Sequence, residues 1–270
     1  CRGLERDMSL RFQTNIYLTP GHAQGFHPHY DSHDVFVLQF HGVKHWLIYN
    51  TPIELPFKGQ PFRRDETTKG EVTMEFDLRP GDMLYLPRGI MHDAQTREGE
   101  TAHITLGALT TSWTELLLEV VAKVALTDVD FRRALPPGFA TTEFDRTASR
   151  AYLKKLLGAL VERGDLDQAM DHFADELVST RRALLDGQLE QILALNDITP
   201  DHRAGARSNL VYRYAKRDGQ IVVSCYGAEM RLPAYAAEPT RYALETPSFA
   251  VRDLPGDMEE KLAPYLRPLY

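Results

Sequence analysis

The sequence predicts a β-rich barrel or sandwich in its first 110 residues, a helical segment over 111–197 and a small mixed α+β module over 198–270. Three observations carry this division. Short apolar runs punctuated by turn residues fill the first part; apolar residues then adopt helical spacing; strand-like runs return after Asn196. In the first part the strand candidates are Phe12–Leu18, Val35–Phe40, His45–Tyr49, Val72–Phe76, Met83–Leu86 and His103–Leu106, separated by Pro20-Gly21, His41-Gly42 and Pro80-Gly81-Asp82. From Trp113 the residues Leu116, Leu117, Val120, Val121 and Val124 share one helical face. A second run follows at Leu177, Leu184, Leu185, Leu189, Ile192 and Leu193. Both stripes read as core or subunit interface and carry no catalytic pattern. In the last part Ile221–Tyr226 reads as a strand, and a helix is expected near Asp257 to Leu262.

A chain of 270 residues with 43% hydrophobic and 26% charged residues has the composition of an ordinary globular protein. No apolar run approaches the roughly 18 residues that span a bilayer, and no signal-peptide pattern opens the chain. The expectation is therefore a soluble intracellular protein: cytoplasmic, or nuclear or nucleolar if the source is eukaryotic. Cys1 and Cys225 lack metal-site spacing and cannot build a disulfide framework. The first residue is not Met, which suggests a fragment with something missing before it. A net charge of −7 disfavours nonspecific nucleic-acid binding, and residues 197–270 carry ten basic and ten acidic side chains. No direct DNA binding and no membrane partner are expected.

The chemistry is concentrated in Phe26-His27-Pro28-His29-Tyr30-Asp31 and Pro87-Arg88-Gly89-Ile90-Met91-His92. On a strand, His29 and Asp31 project to one face because successive side chains alternate. A returning strand that supplied His92 would complete two neutral imidazoles and one carboxylate around a metal. That is the facial triad of non-haem Fe(II) oxygenases, whose open positions admit further ligands. The histidines close by in sequence, His22, His27, His33, His41 and His45, read as solvent-facing or packed.

Gly81, Pro87, Gly89 and His92 follow G-x₅-P-x-G-x₂-H, which resembles the second motif of the cupin superfamily and implies a double-stranded β-helix. The runs Asn15–Pro20, Gln24–Asp31, Asp34–Gln39, Gly42–Trp46, Leu84–Ala94 and His103–Leu106 are similar to the JmjC-type ribosomal oxygenases. That resemblance implies a JmjC-like cupin catalytic domain over 1–110, a helical dimerisation domain over 111–197 and a winged-helix-like domain over 198–270. It also implies Fe(II), 2-oxoglutarate as cosubstrate and O₂, with hydroxylation of a histidine or arginine side chain of a ribosomal protein, and a homodimer formed through the helical domain. Carried over by position, His29, Asp31 and His92 become catalytic metal ligands, and Lys44 pairs with the distal carboxylate of 2-oxoglutarate. Asn15, His103 and Thr105 fall in the cosubstrate pocket, and Tyr17 near the substrate. Gly107 departs from the serine common at its position, and Gly21 from a proline, which leaves the identity of the substrate open. A small-molecule or peptide biosynthetic hydroxylase, a histone-type JmjC demethylase and a non-enzymatic metal-binding cupin remain alternatives.

Overall fold

A computed structural model describes residues 1–23, 25–64 and 69–256. The helix expected near Asp257 to Leu262 lies outside them. Two units separate at Thr111/Ser112.

Seven strands build the first unit: β1 (Arg11–Thr19), β2 (Asp34–His41), β3 (Lys44–Tyr49), β4 (Val72–Leu78), β5 (Met83–Leu86), β6 (His92–Thr96) and β7 (Thr101–Leu109). They form two antiparallel sheets, ordered β1-β7-β2-β5 and β4-β3-β6. Period-2 alternation explains why each sheet has an inner face. On β2, Val35, Val37 and Gln39 are buried while Leu38 and Phe40 are exposed. On β1, Asn15 and Tyr17 are half-buried and Thr19 is buried, whereas Thr14, Ile16 and Leu18 are exposed. The core cluster joins both sheets: Val35, Val37 and Leu86 from one, Trp46 and Leu78 from the other. Closing two antiparallel sheets face to face is the cupin-like, JmjC-like architecture the sequence led us to expect.

Polar residues nevertheless line part of the inside. Strand pairing sets Asn15 opposite Thr105, Tyr17 opposite His103 and Thr19 opposite Thr101, with Val37 and Gln39 beside Thr105 and His103 on β2. From the other sheet, the same parity sends Lys44, Trp46 and Ile48 inward alongside Thr96, Ala94 and His92. A core that holds so many hydrogen-bonding groups is built around something polar.

Two local expectations need correction. Phe26–Asp31 is not a strand; His29 makes an isolated bridge to His92, and the segment is otherwise irregular, because Pro28 removes a donor beside it. The second apolar run is not one helix either. Leu177 lies in the last turn of α4, Leu184 and Leu185 lie in irregular chain, and a new helix starts only after Gly187, which takes a left-handed φ of 72°.

The second unit contains α2 (Trp113–Thr127), α3 (Thr147–Arg163), α4 (Leu166–Ser179), α5 (Gln188–Leu193) and α6 (Ala237–Glu245), with a sheet of β9 (Tyr212–Arg217), β10 (Gln220–Cys225) and β11 (Ala228–Leu232) and a two-stranded pairing of β8 (Arg203–Ala204) with β12 (Phe249–Ala250). A short helix, α1 (Arg2–Met8), opens the chain. Helix α2 begins at a capping box in which Ser112 and Glu115 exchange hydrogen bonds, and it buries Val120 and Val124. Ion pairs from Arg213 and Arg217 on β9 to Asp171 and Asp175 tie the sheet to α4. Among the described residues, no helix is long and apolar enough to cross a membrane.

Candidate metal centre and its inner wall

Backbone hydrogen bonds, rather than a continuous strand, bring the three candidate ligands together. His29 N–H donates to His92 O at 3.0 Å and His92 N–H to His29 O at 2.8 Å, so the two segments run side by side. The turn before His92 is clamped at two further points: Gly89 N–H donates to Asp31 O at 2.9 Å, and Arg88 N–H to the Asp34 carboxylate at 2.8 Å. Gly89 sits at φ 90°, and a Cβ there would lie 2.4 Å from Ile53 O, so both conformation and space demand glycine.

As a result His29, Asp31 and His92 present ligand atoms within 4.8 Å of one another, the one such cluster among the described residues. Asp31 Oδ2 lies 3.9 Å from His92 Nε2. Each imidazole is oriented from behind. His29 Nδ1 contacts His27 O at 2.8 Å and His92 Nδ1 contacts Ile90 O at 3.0 Å. A carbonyl can only accept, so both Nδ1 atoms carry the proton and both Nε2 lone pairs are free for a metal. Burial, followed by the neighbouring His29, pushes the His92 pKa down and favours its neutral, ligating form. Trp46 stacks on His92 at 5.8 Å between centroids, with the ring planes 29° apart.

Lys44 would read as a surface lysine from its turn-flanking position, but only 2% of it is exposed. Its Nζ donates to Thr19 Oγ1 at 2.7 Å across the interior, and burial lowers its pKa. His103 stacks on Tyr17 at 5.1 Å and meets Trp46 edge-on at 6.1 Å. Burial, and secondarily the Lys44 charge, bring the His103 pKa to about 4. Asn15 and Thr105 pair two register positions from Tyr17 and His103, and so on the same face. Tyr17 feels Asp31: after burial, that carboxylate is the second cause raising its phenol pKa. The strand register thus gathers Lys44, Asn15, Tyr17, His103 and Thr105 on the inner walls, and the turn contacts place the three candidate ligands beside them.

Sequence reasoning missed Thr19, Trp46 and Gln39. Thr19 shares the parity of Asn15 and Tyr17, a signal that was available in the alternation. Gln39 and Trp46 looked like ordinary strand residues, and only the closing of the sheets shows what they face. Phe26, 57% exposed, packs its edge on Tyr17 at 5.6 Å and lies 5.6 Å from the His29 ring. His45 is packed, not ligating: buried on β3, it contacts Asp77 at 2.8 Å and Glu75 at 2.9 Å.

Residues 4–116 match the JmjC domain family. Bovine ribosomal oxygenase 2 is 33% identical over 201 residues, covering 73% of this chain and 40% of the relative. An Aedes aegypti protein described as bifunctional lysine-specific demethylase and histidyl-hydroxylase NO66 is 35% identical over 176 residues, 60% of this chain and 28% of its own. The chain carries a JmjC domain and is similar to the ribosomal oxygenases. It spans well under half the length of these two relatives. Among solved structures, Escherichia coli ribosomal oxygenase YcfD superposes with a TM-score of 0.52 over 94% of this chain and 66% of that one, at 15% identity, which speaks to the fold. A further YcfD structure, described as a complex with cobalt and 2-oxoglutarate, matches with a TM-score of 0.51, also at 15% identity, over 98% of this chain and 70% of that one.

Fe(II), 2-oxoglutarate and O₂ go with this family, and the residues of this chain fit them. The donor set is two imidazoles and a carboxylate, with no fourth ligand among the described residues. His103 Nδ1 and the Trp46 Nε1 donor are buried without hydrogen-bond partners among the described residues, and Lys44 supplies a cation in the same interior. Buried polar groups that the protein leaves unpaired, beside a buried cation, suit an anionic guest.

Proposed function

We propose that the chain is an Fe(II)- and 2-oxoglutarate-dependent oxygenase that hydroxylates a histidine or arginine side chain of a ribosomal protein. One observation carries the reading: three converging ligand atoms, backed by carbonyl-locked imidazoles, share an interior with a buried lysine. Bound there, iron with 2-oxoglutarate and O₂ supplies an oxidative decarboxylation to succinate and CO₂ coupled to insertion of one oxygen atom into a substrate C–H bond.

The chain's own residues set the conditions for that chemistry. His27 and Ile90 carbonyls hold both ligating rings in one tautomer. Lys44, released from or shared with Thr19, takes the distal carboxylate as a buried charge-assisted pair. Asn15, Thr105 and His103 complete the polar wall around the cosubstrate; with a pKa near 4, His103 stays neutral at physiological pH and adds no competing charge. Tyr17 and Phe26 cover the approach to His29 and offer an aromatic surface to the target side chain. A homodimer through the helical segment and the division into 1–110, 111–197 and 198–270 belong to the same proposal.

The test is incubation with Fe(II), 2-oxoglutarate and ribosomes that lack the modification. The expected result is a mass gain of one oxygen on a tryptic peptide together with stoichiometric succinate. The mosquito relative, a bifunctional lysine-specific demethylase and histidyl-hydroxylase, favours a second reading, lysine demethylation. Methylated lysine peptides in the same assay separate the two, since demethylation removes mass and releases formaldehyde.

A further inference from the structure

Strand β7 carries a glycine where a strand gains nothing from one. Gly107 is buried, paired with Gln13 on β1 and Val35 on β2, and its φ lies outside the left-handed region. Glycine in a strand interior costs stability unless something approaches the backbone closely. Here the visitor is His33: a Cβ on residue 107 would sit 2.7 Å from His33 Nε2 and 2.8 Å from its Cδ2. The imidazole therefore occupies the space where the side chain of residue 107 would stand. By alternation that space belongs to the face of β7 shared with His103 and Thr105. His33 also lies two residues beyond Asp31, is half-buried, and has no hydrogen bond or ion pair among the described residues.

We propose that His33 is a specificity-determining residue, reaching over the bare backbone at Gly107 to close the outer end of the inner wall and bind the peptide that carries the target side chain. The proposal rests on the oxygenase reading above. Its chemistry is that of an uncharged peptide backbone. Position by position, this end of the wall offers the imidazole of His33, the amides of Gln13 and Asn15 and the hydroxyl of Thr105, all neutral donors or acceptors. On β1 the next position of that parity outward is Arg11, half-buried opposite Leu109, so the neutral groups run inward from Gln13, and that stretch suits amides in extended peptide.

The experiment compares wild type, His33→Ala, Gly107→Ala and the double variant in the full chain, using ribosomal proteins isolated without the modification as substrate. His33→Ala should raise the substrate KM about fivefold, the size of one net hydrogen bond, while kcat, the KM for 2-oxoglutarate and substrate-free succinate release stay unchanged. Gly107→Ala should do the same by displacing the ring and should also lower Tm. In the His33→Ala background it should change neither further, because the clash is gone. An unchanged substrate KM in His33→Ala, a shifted 2-oxoglutarate KM, or additive losses in the double variant would overturn the proposal. Wild type that releases no succinate would instead overturn the oxygenase reading itself, whereas succinate release with unaltered substrate KM removes only the role of His33.

Discussion

Asp31 and Asp34 sit three residues apart and look interchangeable in a list of carboxylates, yet their surroundings assign them different work. Asp31 offers its carboxylate to the cluster with His29 and His92, as an anionic ligand would; Asp34 accepts the Arg88 N–H and so steadies the turn that delivers His92. Asp31→Ala should abolish iron binding and succinate release. Asp34→Ala should keep partial metal occupancy and lose about 1 kcal/mol of stability, the order of one hydrogen bond. Iron content by mass spectrometry and urea unfolding separate them, and equal loss of iron in both would refute the assignment. Lys44 makes a second distinction. Lys44→Ala should weaken 2-oxoglutarate binding by about 2–5 kcal/mol, as for truncation of a buried charge pair, with metal affinity retained; isothermal titration on metal-loaded protein reads both. The convergence of His29, Asp31 and His92 was legible because His-x-Asp and the Gly/Pro-shaped turn before His92 are local in sequence. The environment of Lys44 was not, since its burial depends on Thr19 arriving from the opposite sheet. Likewise, nothing in the chain announces that His33 fills the space above Gly107.

Elements show the same division. Six strand expectations fall on observed strands, because alternation and turn residues are local signals. The His29 segment was misread as a strand because proximity to β6 comes from paired backbone bonds across a turn, which a linear pattern cannot display. That turn is a point of fragility. Gly89→Ala forces a Cβ toward Ile53 O at φ 90° and should cost at least about 1–2 kcal/mol, loosening His92 and lowering metal affinity with it. Thermal melts with and without Fe(II) should show a smaller metal-dependent shift in the variant. On β7, His103 makes stability depend on pH. Its pKa falls from 6.5 to about 4 on folding, so the unfolded chain binds the extra proton first. The contribution is present in full above pH 6.5 and is lost as pH drops toward 4, up to about 3 kcal/mol. His103→Gln should flatten urea-unfolding stability between those pH values; an unchanged slope would show that His103 is not the titrating group.

At the scale of the molecule, the second unit carries more apolar surface than its own folding covers. Helix α3 buries no residue, yet Leu153, Leu157 and Val161 repeat at four-residue spacing and are 56%, 52% and 86% exposed. Leu189, Ile192 and Leu193 on α5 are exposed as well. Apolar stripes of this extent mark an interface, and a two-fold axis would cover the same stripe on both partners. Sedimentation at micromolar concentration should therefore report twice the chain mass, reduced to one chain by Leu157→Glu with Val161→Glu; a monomeric wild type would end the proposal. The sheet of the same unit points away from nucleic acid. Arg213 and Arg217 are engaged by Asp171, Asp175 and Glu229, Arg231 by Glu229, and Arg203 by Ser248, so these guanidinium groups are already neutralised or hydrogen-bonded. Binding phosphates would require breaking internal pairs before gaining external ones. Because duplex affinity comes from cations free to release counterions, the full chain should show no salt-sensitive retention of a fluorescent 20-base-pair duplex at about 50 mM salt, and a steep salt slope there would overturn that expectation.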